Sequence, residues 1–507
     1  MNTISLSLRN PVICIAIKVK LQNPAPPIDR NGLQGARYGG ISTVYTMVSI
    51  VIFTWHDKVR NGVLTSNRFE MLSLLYLCVL SRLVIMSVAV IGNILLEDHR
   101  AEGVEPAYFD QSSVFEVILS TFSKWDAVYF LNISYFWYQQ DTHYVFYPLY
   151  PSCIKLFGHF LGCWFEMEER TAHVIAAVSI SNICFIIAFV TLRKMYAELN
   201  FSKICVDRIS LLFICTPANI FFVSAYSESL YAMLAWTGML HIQRRQDLMG
   251  AVCLMLASLT RSNGIFNAVF VLVALLQRLA ALRDWRESPG LCGLAVICVC
   301  VCLPYAVFSH YAYNRICFQE IWGLDDVWGW EWGGAEGTCG PSGGGLLSCN
   351  DLGQRSQSLF GQTLAFLNIF PSLQRAHWQV GWLTQYQLKQ IPNFCLAAPV
   401  LALTAYTLQP LLDLCTPNHW QCALSRTLKS PLLPHLCHLV CLGAVCVGVA
   451  HVQVSTRVLL SGCPILYMSL GHLAFADHTP WRGRVWIYVI LFNVLGVLGH
   501  PNFYPWT

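Results

Sequence analysis

The sequence predicts an all-α protein that crosses a membrane about eleven times, and three observations predict it. Of 507 residues, 55% are hydrophobic and only 12% are charged, with a mean hydropathy of +0.50, too apolar for a soluble globule of this length. The apolar residues fall into runs, several near the roughly 20 residues a helix needs to cross a bilayer. The basic residues leave a net charge of only +4 and collect in short clusters between those runs. That is a pattern of membrane topology rather than of a nucleic-acid surface.

Residues 1–65, rich in places in Pro, Gly and Asn, read as an N-terminal extension of uncertain order, followed by one transmembrane domain over 66–507. The first apolar run is interrupted by lysines and lacks a small-residue cleavage site, so no removed signal peptide is expected. The first strong span is 70–96, "EMLSLLYLCVLSRLVIMSVAVIGNILL". The others are 172–192, 208–223, 226–242, 249–260, 264–279, 291–312, 391–412, 431–452, 455–475 and 485–500. The short ones suggest helices that meet protein or a water-filled cavity at depth, where non-helical backbone is tolerated.

The segment "YVFYPLYPSCIKLFGHFLGCW" (144–164) is long enough for a twelfth span but carries Pro148, Pro151, Lys155 and His159. Laid on the membrane surface as an amphipathic helix, it puts the basic stretches 193–208, 243–246, 277–286, 426–429 and 481–484 all on the cytoplasmic side. As a span it would move the first of them, and everything after, to the other side. With a cytoplasmic N-terminus the lumen then receives the loops 97–171 and 313–390, the tips "AYSES" and "TRSNG", the stretch "HVQVSTR" and the tail "HPNFYPWT". Nearly all the unexplained polar residues are among them.

Most of the 22 cysteines lie in apolar runs such as "VICVCVC" (296–302), where a thiol acts as a small hydrophobe, and no Cys/His spacing suits zinc. Cys317, Cys339 and Cys349 share one polar loop and could form a disulfide in an oxidising lumen, the pair being open. The sequons "NIS" at 132 and "NFS" at 200 fall in an apolar helix and on the cytoplasmic side, so neither is expected to be used. No P-loop, Rossmann fingerprint, nucleophile elbow or DxD-like metal motif is present. This disfavours a nucleotide-sugar enzyme with a soluble-type site.

A few polar residues stand out against this background. Asp126 in "SKWDAVYF" (123–130) reads either as the N-cap of the helix that follows or as a general base at the membrane surface, tuned by an apolar surround and Lys124. Arg261 in "LTRSNGIF" lies where a charge costs roughly 2.5–3.5 kcal/mol, so it should have a partner or line a cavity. It is a paired structural arginine or a phosphate ligand. Glu228 in "AYSESLY" is its candidate partner, or a cap for the next helix. His451 and Arg457 in "HVQVSTRVLLSGCP" suit an anionic headgroup, although a histidine there can simply be bonded locally. Trp125 and His143 complete the candidate set, with Pro148 and Pro151 shaping the surface helix.

In order, "KWDAVYFLNIS", "HYVFYPLYP", "TPANIFFVSAYSESLYAML", "TRSNGIF", "LPYAVFSHYAYNRIC", "HWQVGWLTQYQLKQIPNFCLAAPV", "HVQVSTRVLLSGCPILY" and "HPNFYPWT" resemble the PIG-V family from about residue 70 onward. These are the second mannosyltransferases of glycosylphosphatidylinositol (GPI) anchor synthesis. The resemblance implies a GT-C type enzyme of the endoplasmic reticulum membrane with a luminal site. Dolichyl phosphate mannose would be the donor and a mono-mannosylated GPI lipid the acceptor, joined by an α1,6 linkage. No cofactor is implied, and the need for a metal or a small membrane partner subunit stays open. Because the donor is β-linked and the product α-linked, one displacement with one base is required, and Asp126 fits that role. Arg261, His451 and Arg457 would stabilise the leaving phosphate, with Glu228, Trp125 and His143 around the substrates. Residues 1–65 and the Gly- and Trp-rich stretch 318–360 have no counterpart in the family pattern. Two other readings compete: a sibling enzyme using the same donor on another acceptor, such as an N-glycan precursor, and a polytopic lipid or solute transporter. The later blocks argue against the first. The lack of an internal repeat and the gathering of polar residues on one membrane face argue against the second.

Overall fold

A computed structural model describes residues 67–99, 113–280, 289–317, 365–412, 428–476, 480–504 and 506, and every regular element among them is helical. The extension 1–65, the stretch 318–360 and the side chains of Cys317, Cys339 and Cys349 lie outside the described residues. The first expected span is α1 (Asn67–Leu95). A short α2 (Val114–Ser120) follows, started by Ser113, whose hydroxyl accepts the Glu116 N–H. Next comes α3 (Asp126–Phe136), which carries the candidate base at its first residue.

The segment expected on the membrane surface forms α4 (Leu149–Phe165). Glu166 closes it in the left-handed conformation, and the chain turns back into the long α5 (Glu169–Glu198). The two pack closely because Gly158 has no side chain: a Cβ there would meet His173 Cδ2 at 2.3 Å. Further along, the Tyr150 hydroxyl donates to Ala177 O at 3.2 Å. The outer face of α4 exposes Leu156, Phe160 and Trp164, an apolar face suited to lipid.

The span expected at 208–223 is two helices, α6 (Lys203–Ile214) and α7 (Asn219–Val223). Pro217 supplies no N–H and disfavours helix at Thr216, so the chain breaks there. The break is tolerable at depth because neighbours satisfy the freed backbone. Arg82 of α1 donates to Ile214 O at 3.2 Å, and Asn493 donates to Cys215 O at 3.0 Å and Thr216 O at 3.1 Å. Arg82 is itself buried, stacked 3.8 Å from the Phe185 ring centre and bonded to Asn219 Oδ1 at 2.5 Å.

The next pair, α8 (Glu228–Gln243) and α9 (Asp247–Thr260), is a tight antiparallel hairpin. Gly238 and Gly250 face each other across it. A Cβ on Gly238 would lie 2.6 Å from Leu254 and 3.2 Å from Gly250 O, and one on Gly250 would lie 2.6 Å from Ile242 and 3.2 Å from Gly238 O. Beyond them run α10 (Asn267–Ala280), α11 (Pro289–Cys317), α12 (Ile369–Trp378), α13 (Ile391–Leu412) and α14 (Leu433–Gly448). The span expected at 455–475 is bent by 95° at Cys463 and Pro464 into α15 (Ser455–Gly462) and α16 (Ile465–Phe475). The last helix is α17 (Trp481–Gly499).

All eleven expected segments are thus helical, but among the described residues six helices are long and apolar enough to cross a membrane, or seven with the bent pair taken as one. The others are shorter; α8 has 16 residues and α9 has 14. The chain is an all-α, multi-pass membrane protein. Its interior is aromatic: Phe213 sits 4.4 Å from Phe185, 5.1 Å from Trp236 and 5.2 Å from Tyr467, so α5, α6, α8 and α16 meet there. A cavity of about 720 Å³ between α6, α13 and α16 is lined by Arg208, Tyr406, Gln409, His472 and a mixture of apolar and small polar neighbours, and no candidate site residue borders it.

Candidate active site

The turn into α3 sets the direction of Asp126. Trp125 has φ 60° and ψ −130°, a conformation that costs a residue with a Cβ on the order of 1–3 kcal/mol and persists only where its surroundings enforce it. Asp126 is the first residue of α3, with Trp125 in the capping position, and its Oδ2 accepts from Arg457 Nη1 at 2.5 Å. The side chain is therefore turned outward to a cation rather than back to the helix backbone, which corrects the N-cap reading. Lys124 does not serve Asp126 either. Its ammonium donates to Asp98 Oδ2 at 2.6 Å and lies 4.5 Å from the Phe503 ring centre, because the backbone reverses at Trp125. Burial lowers the Lys124 pKa, against the opposing pull of Asp98.

Glu228 and Arg261 come from the two ends of one hairpin. Glu228 opens α8, and Arg261 follows the last residue of α9, where "RSNG" makes a single 3-10 turn. That turn folds hard onto α9: a Cβ on Gly264 would sit 2.5 Å from Ser258 Cα. Arg261 Nη1 reaches Glu228 Oε1 at 2.5 Å and Ser227 Oγ at 3.1 Å, so the expected pairing of Arg261 with Glu228 is present. Arg457 Nη1 lies 3.7 Å from the same Glu228 oxygen. Four charges from distant segments thus form a chain, Asp126–Arg457–Glu228–Arg261.

Exposure gives this chain a direction. The side chain of Glu228 is 0% exposed, those of Arg457 and Arg261 are 14% and 16%, and that of Asp126 is 34%. The inner carboxylate holds two arginines in place, and the outer one faces open space. A buried carboxylate is tolerated only when paired in this way. The guanidinium of Arg457 also lies 5.4 Å from Phe221 and 5.7 Å from Tyr226, ring contacts that fix its plane.

His451, His143 and Trp125 are near but outside the chain. Tyr129, one turn after Asp126, stacks on Phe146 at 4.7 Å and meets Trp378 at 6.1 Å and His143 at 6.5 Å, edge to face. His451 Nε2 lies 2.7 Å from Trp378 O and donates there. The two histidines flank an aromatic wall beside Asp126. His143 is 2% exposed, and burial pushes its pKa down to about 4, so it is neutral near pH 7. Trp125 packs on Phe503 at 5.7 Å and donates from Nε1 to His500 O at 3.2 Å.

Sequence reasoning passed over Tyr129, Trp378 and Gln385. Gln385 Nε2 donates to Val447 O at 2.6 Å and its Oε1 accepts Val452 N–H at 2.5 Å, which pins the loop leading to Arg457. All three lie in blocks quoted above, but nothing in their spacing distinguishes them from packing residues. Among the described residues no group of three His, Cys, Asp or Glu side chains could hold a metal ion.

Residues 70–507 match the family described as Mannosyltransferase (PIG-V). The GPI alpha-1,6-mannosyltransferase 2 of Rattus norvegicus is 26% identical, with 88% of this chain and 100% of the relative covered. That of Homo sapiens is 26% identical over 84% of this chain and 96% of the relative. The GPI mannosyltransferase 2 of Drosophila melanogaster is 25% identical over 85% and 98% respectively. No solved structure matches. A match that starts where the apolar segments start and runs through every one of them places the chain in the PIG-V mannosyltransferase family.

Proposed function

We propose that this chain is a GPI-anchor mannosyltransferase that adds the second mannose, α1,6-linked, from dolichyl phosphate mannose to the mono-mannosylated GPI lipid, with Asp126 as its base. The observation that carries the chemistry is the Asp126–Arg457 pair: a carboxylate at the open end of the charge chain, beside a cation held from within by Glu228. Arg457 occupies Oδ2, which leaves Oδ1 for the acceptor hydroxyl. The acceptor oxygen bonds to C1 of mannose on the face opposite the phosphate. Its proton passes to Asp126, and the electrons of the breaking C1–O bond leave on the phosphate. As the carboxylate is neutralised by that proton, negative charge grows on the phosphate, and Arg457 and Arg261 can turn toward it. One arginine thus serves both ends of the displacement.

In this reading the apolar segments make eleven crossings, the shorter ones packed within protein, and the basic clusters put the site on the luminal side. Supporting this, the Arg244–Glu198 and Arg278–Asp247 pairs sit at the ends of α5, α8, α9 and α10 remote from Glu228 and Arg261. The basic stretches and the charge chain therefore occupy opposite ends of the same helices. In this reading the endoplasmic reticulum membrane is the site of action and both substrates are amphiphiles. The test is complementation. Expression in cells lacking their own GPI mannosyltransferase 2 should restore GPI-anchored proteins at the cell surface, and Asp126→Asn should not. Wild-type protein that reaches the membrane at normal levels without restoring them would overturn the assignment.

A further inference from the structure

The strained turn at Trp125 is bridged locally by Ala127 N–H to Lys124 O at 3.3 Å and Val128 N–H to Trp125 O at 3.1 Å, and four contacts from elsewhere in the chain hold it as well. Ala225 N–H donates to Phe122 O at 3.0 Å, and the Tyr226 hydroxyl donates to Lys124 O at 3.4 Å. Lys124 is tied to Asp98 and Trp125 Nε1 to His500 O. Two of the four run through Tyr226 and His500, which also bond to each other, Nε2 to hydroxyl, at 3.0 Å. Both side chains are about 1% exposed.

With the Tyr226 proton directed to Lys124 O, the hydroxyl oxygen accepts the His500 Nε2–H, which corresponds to the Nε2–H tautomer of His500. The His500 ring also stands edge-on to Phe221, 5.5 Å away at 89°, and Phe221 is the ring beneath Arg457. The His500 carbonyl therefore holds Trp125 directly, while its imidazole reaches the Asp126 turn through the Tyr226 hydroxyl and the platform of the arginine through Phe221.

We infer that His500 and Tyr226 are positioning residues for Asp126: the segment after α17 reaches back beneath the turn and holds the base in register with Arg457. This rests on Asp126 being the base. Neither residue borders the open side of the carboxylate, so their effect is on turnover and not on lipid binding. Small displacements of a reacting group are known to cost up to about a hundredfold in rate.

The experiment measures mannose transfer by purified full-length protein in detergent, with both lipid substrates varied. Tyr226→Phe removes one oxygen, and His500→Phe removes the ring nitrogens while keeping the aromatic contacts. Each should lower kcat about tenfold or more with apparent KM changed less than about twofold, and the double variant should be no worse than either alone. His500→Gln, which keeps a donor at similar reach, should recover most of the turnover. In an Asp126→Asn background neither substitution should slow the residual transfer further. If both slow it there by the factor seen in the wild type, or raise KM with kcat intact, the positioning role is overturned while the base stands. Asp126→Asn with wild-type turnover would overturn the base and this inference together. Should His500→Phe fail to accumulate, Tyr226→Phe, one atom smaller, decides the matter alone.

Discussion

Replacing Glu228 with glutamine keeps the shape of the site and removes one charge from its centre. Glu228 lies 2.5 Å from Arg261 and 3.7 Å from Arg457, fully buried. In the variant Arg261 retains Ser227 and Arg457 retains Asp126, but two cations face each other with no anion between them. Breaking a buried pair from one side costs roughly 3–5 kcal/mol. Because the two arginines are still 14% and 16% exposed, water recovers part of this, which puts the expected loss near the lower end, about 3 kcal/mol. Thermal unfolding in detergent should show a clear drop in melting temperature. Dolichyl phosphate should then raise that temperature more in Glu228→Gln than in the wild type, since a bound phosphate returns the missing anion and binding to the folded state stabilises it. A variant that melts with the wild type and gains no more from the lipid phosphate would refute the claim that Glu228 holds the arginines.

Asp126→Asn should give a folded, correctly localised protein that still binds dolichyl phosphate but turns over about a hundredfold or more slowly, because an amide cannot take the proton; Asp126→Glu should recover little, since about an ångström of misplacement is costly. Normal turnover in purified Asp126→Asn would end its role as base. Arg261→Ala should raise the apparent KM for the donor lipid about tenfold, with Arg261→Lys only partly corrective, as a single ammonium cannot form the fork that guanidinium makes with phosphate; a variant missing from membranes yet normal in specific activity marks a structural arginine. His143, with its pKa lowered from 6.5 to about 4 by burial, binds no proton in the folded state over a range where the unfolded chain does. Its contribution to stability is full above pH 6.5 and falls away as pH drops toward 4, on the order of 3 kcal/mol in all. His143→Gln should therefore show a shallower loss of melting temperature between pH 7 and 5, and an unchanged slope would remove His143 as the cause. A cysteine placed at position 262, with native exposed thiols blocked, should label from the luminal side, and labelling from the cytoplasm alone would sink the threading.

The long apolar helices were legible because the bilayer imposes length and composition on them; 391–412 agrees to the residue with α13. Broken segments were legible only as helical. Nothing in "DRISLLFICTPANIFFV" says that Arg82 and Asn493, far away in the chain, supply the hydrogen bonds that let the backbone part at Pro217. The charge chain was half legible. Charge in an apolar setting is costly enough to mark Asp126, Glu228, Arg261 and Arg457 one by one, and the Glu228–Arg261 pairing was anticipated. That Arg457 bridges the two carboxylates depends on the 95° bend of α15 against α16 and on the aromatic bed beneath it, which no spacing encodes. Lys124 shows the opposite failure: adjacency in sequence suggested an electrostatic role toward Asp126, and one positive φ at Trp125 sends the two side chains apart.

The glycine contact between α8 and α9 has a reach beyond packing. Glu228 and Arg261 stand at the open end of that hairpin, some ten residues, or about 15 Å, from Gly238 and Gly250. The hairpin is thus a pair of tongs whose pivot is two bare backbones in contact, and the width of the grip is set at the pivot. A single methyl group on either glycine forces Leu254 or Ile242 to repack and, against the facing carbonyl at 3.2 Å, parts the arms by a few tenths of an ångström. That splay, carried to the tip, pulls a guanidinium away from its carboxylate at a site the new methyl never touches. Substitutions deep among these helices should therefore be felt first as altered kinetics, in a protein that still folds, inserts and carries every one of its charged residues.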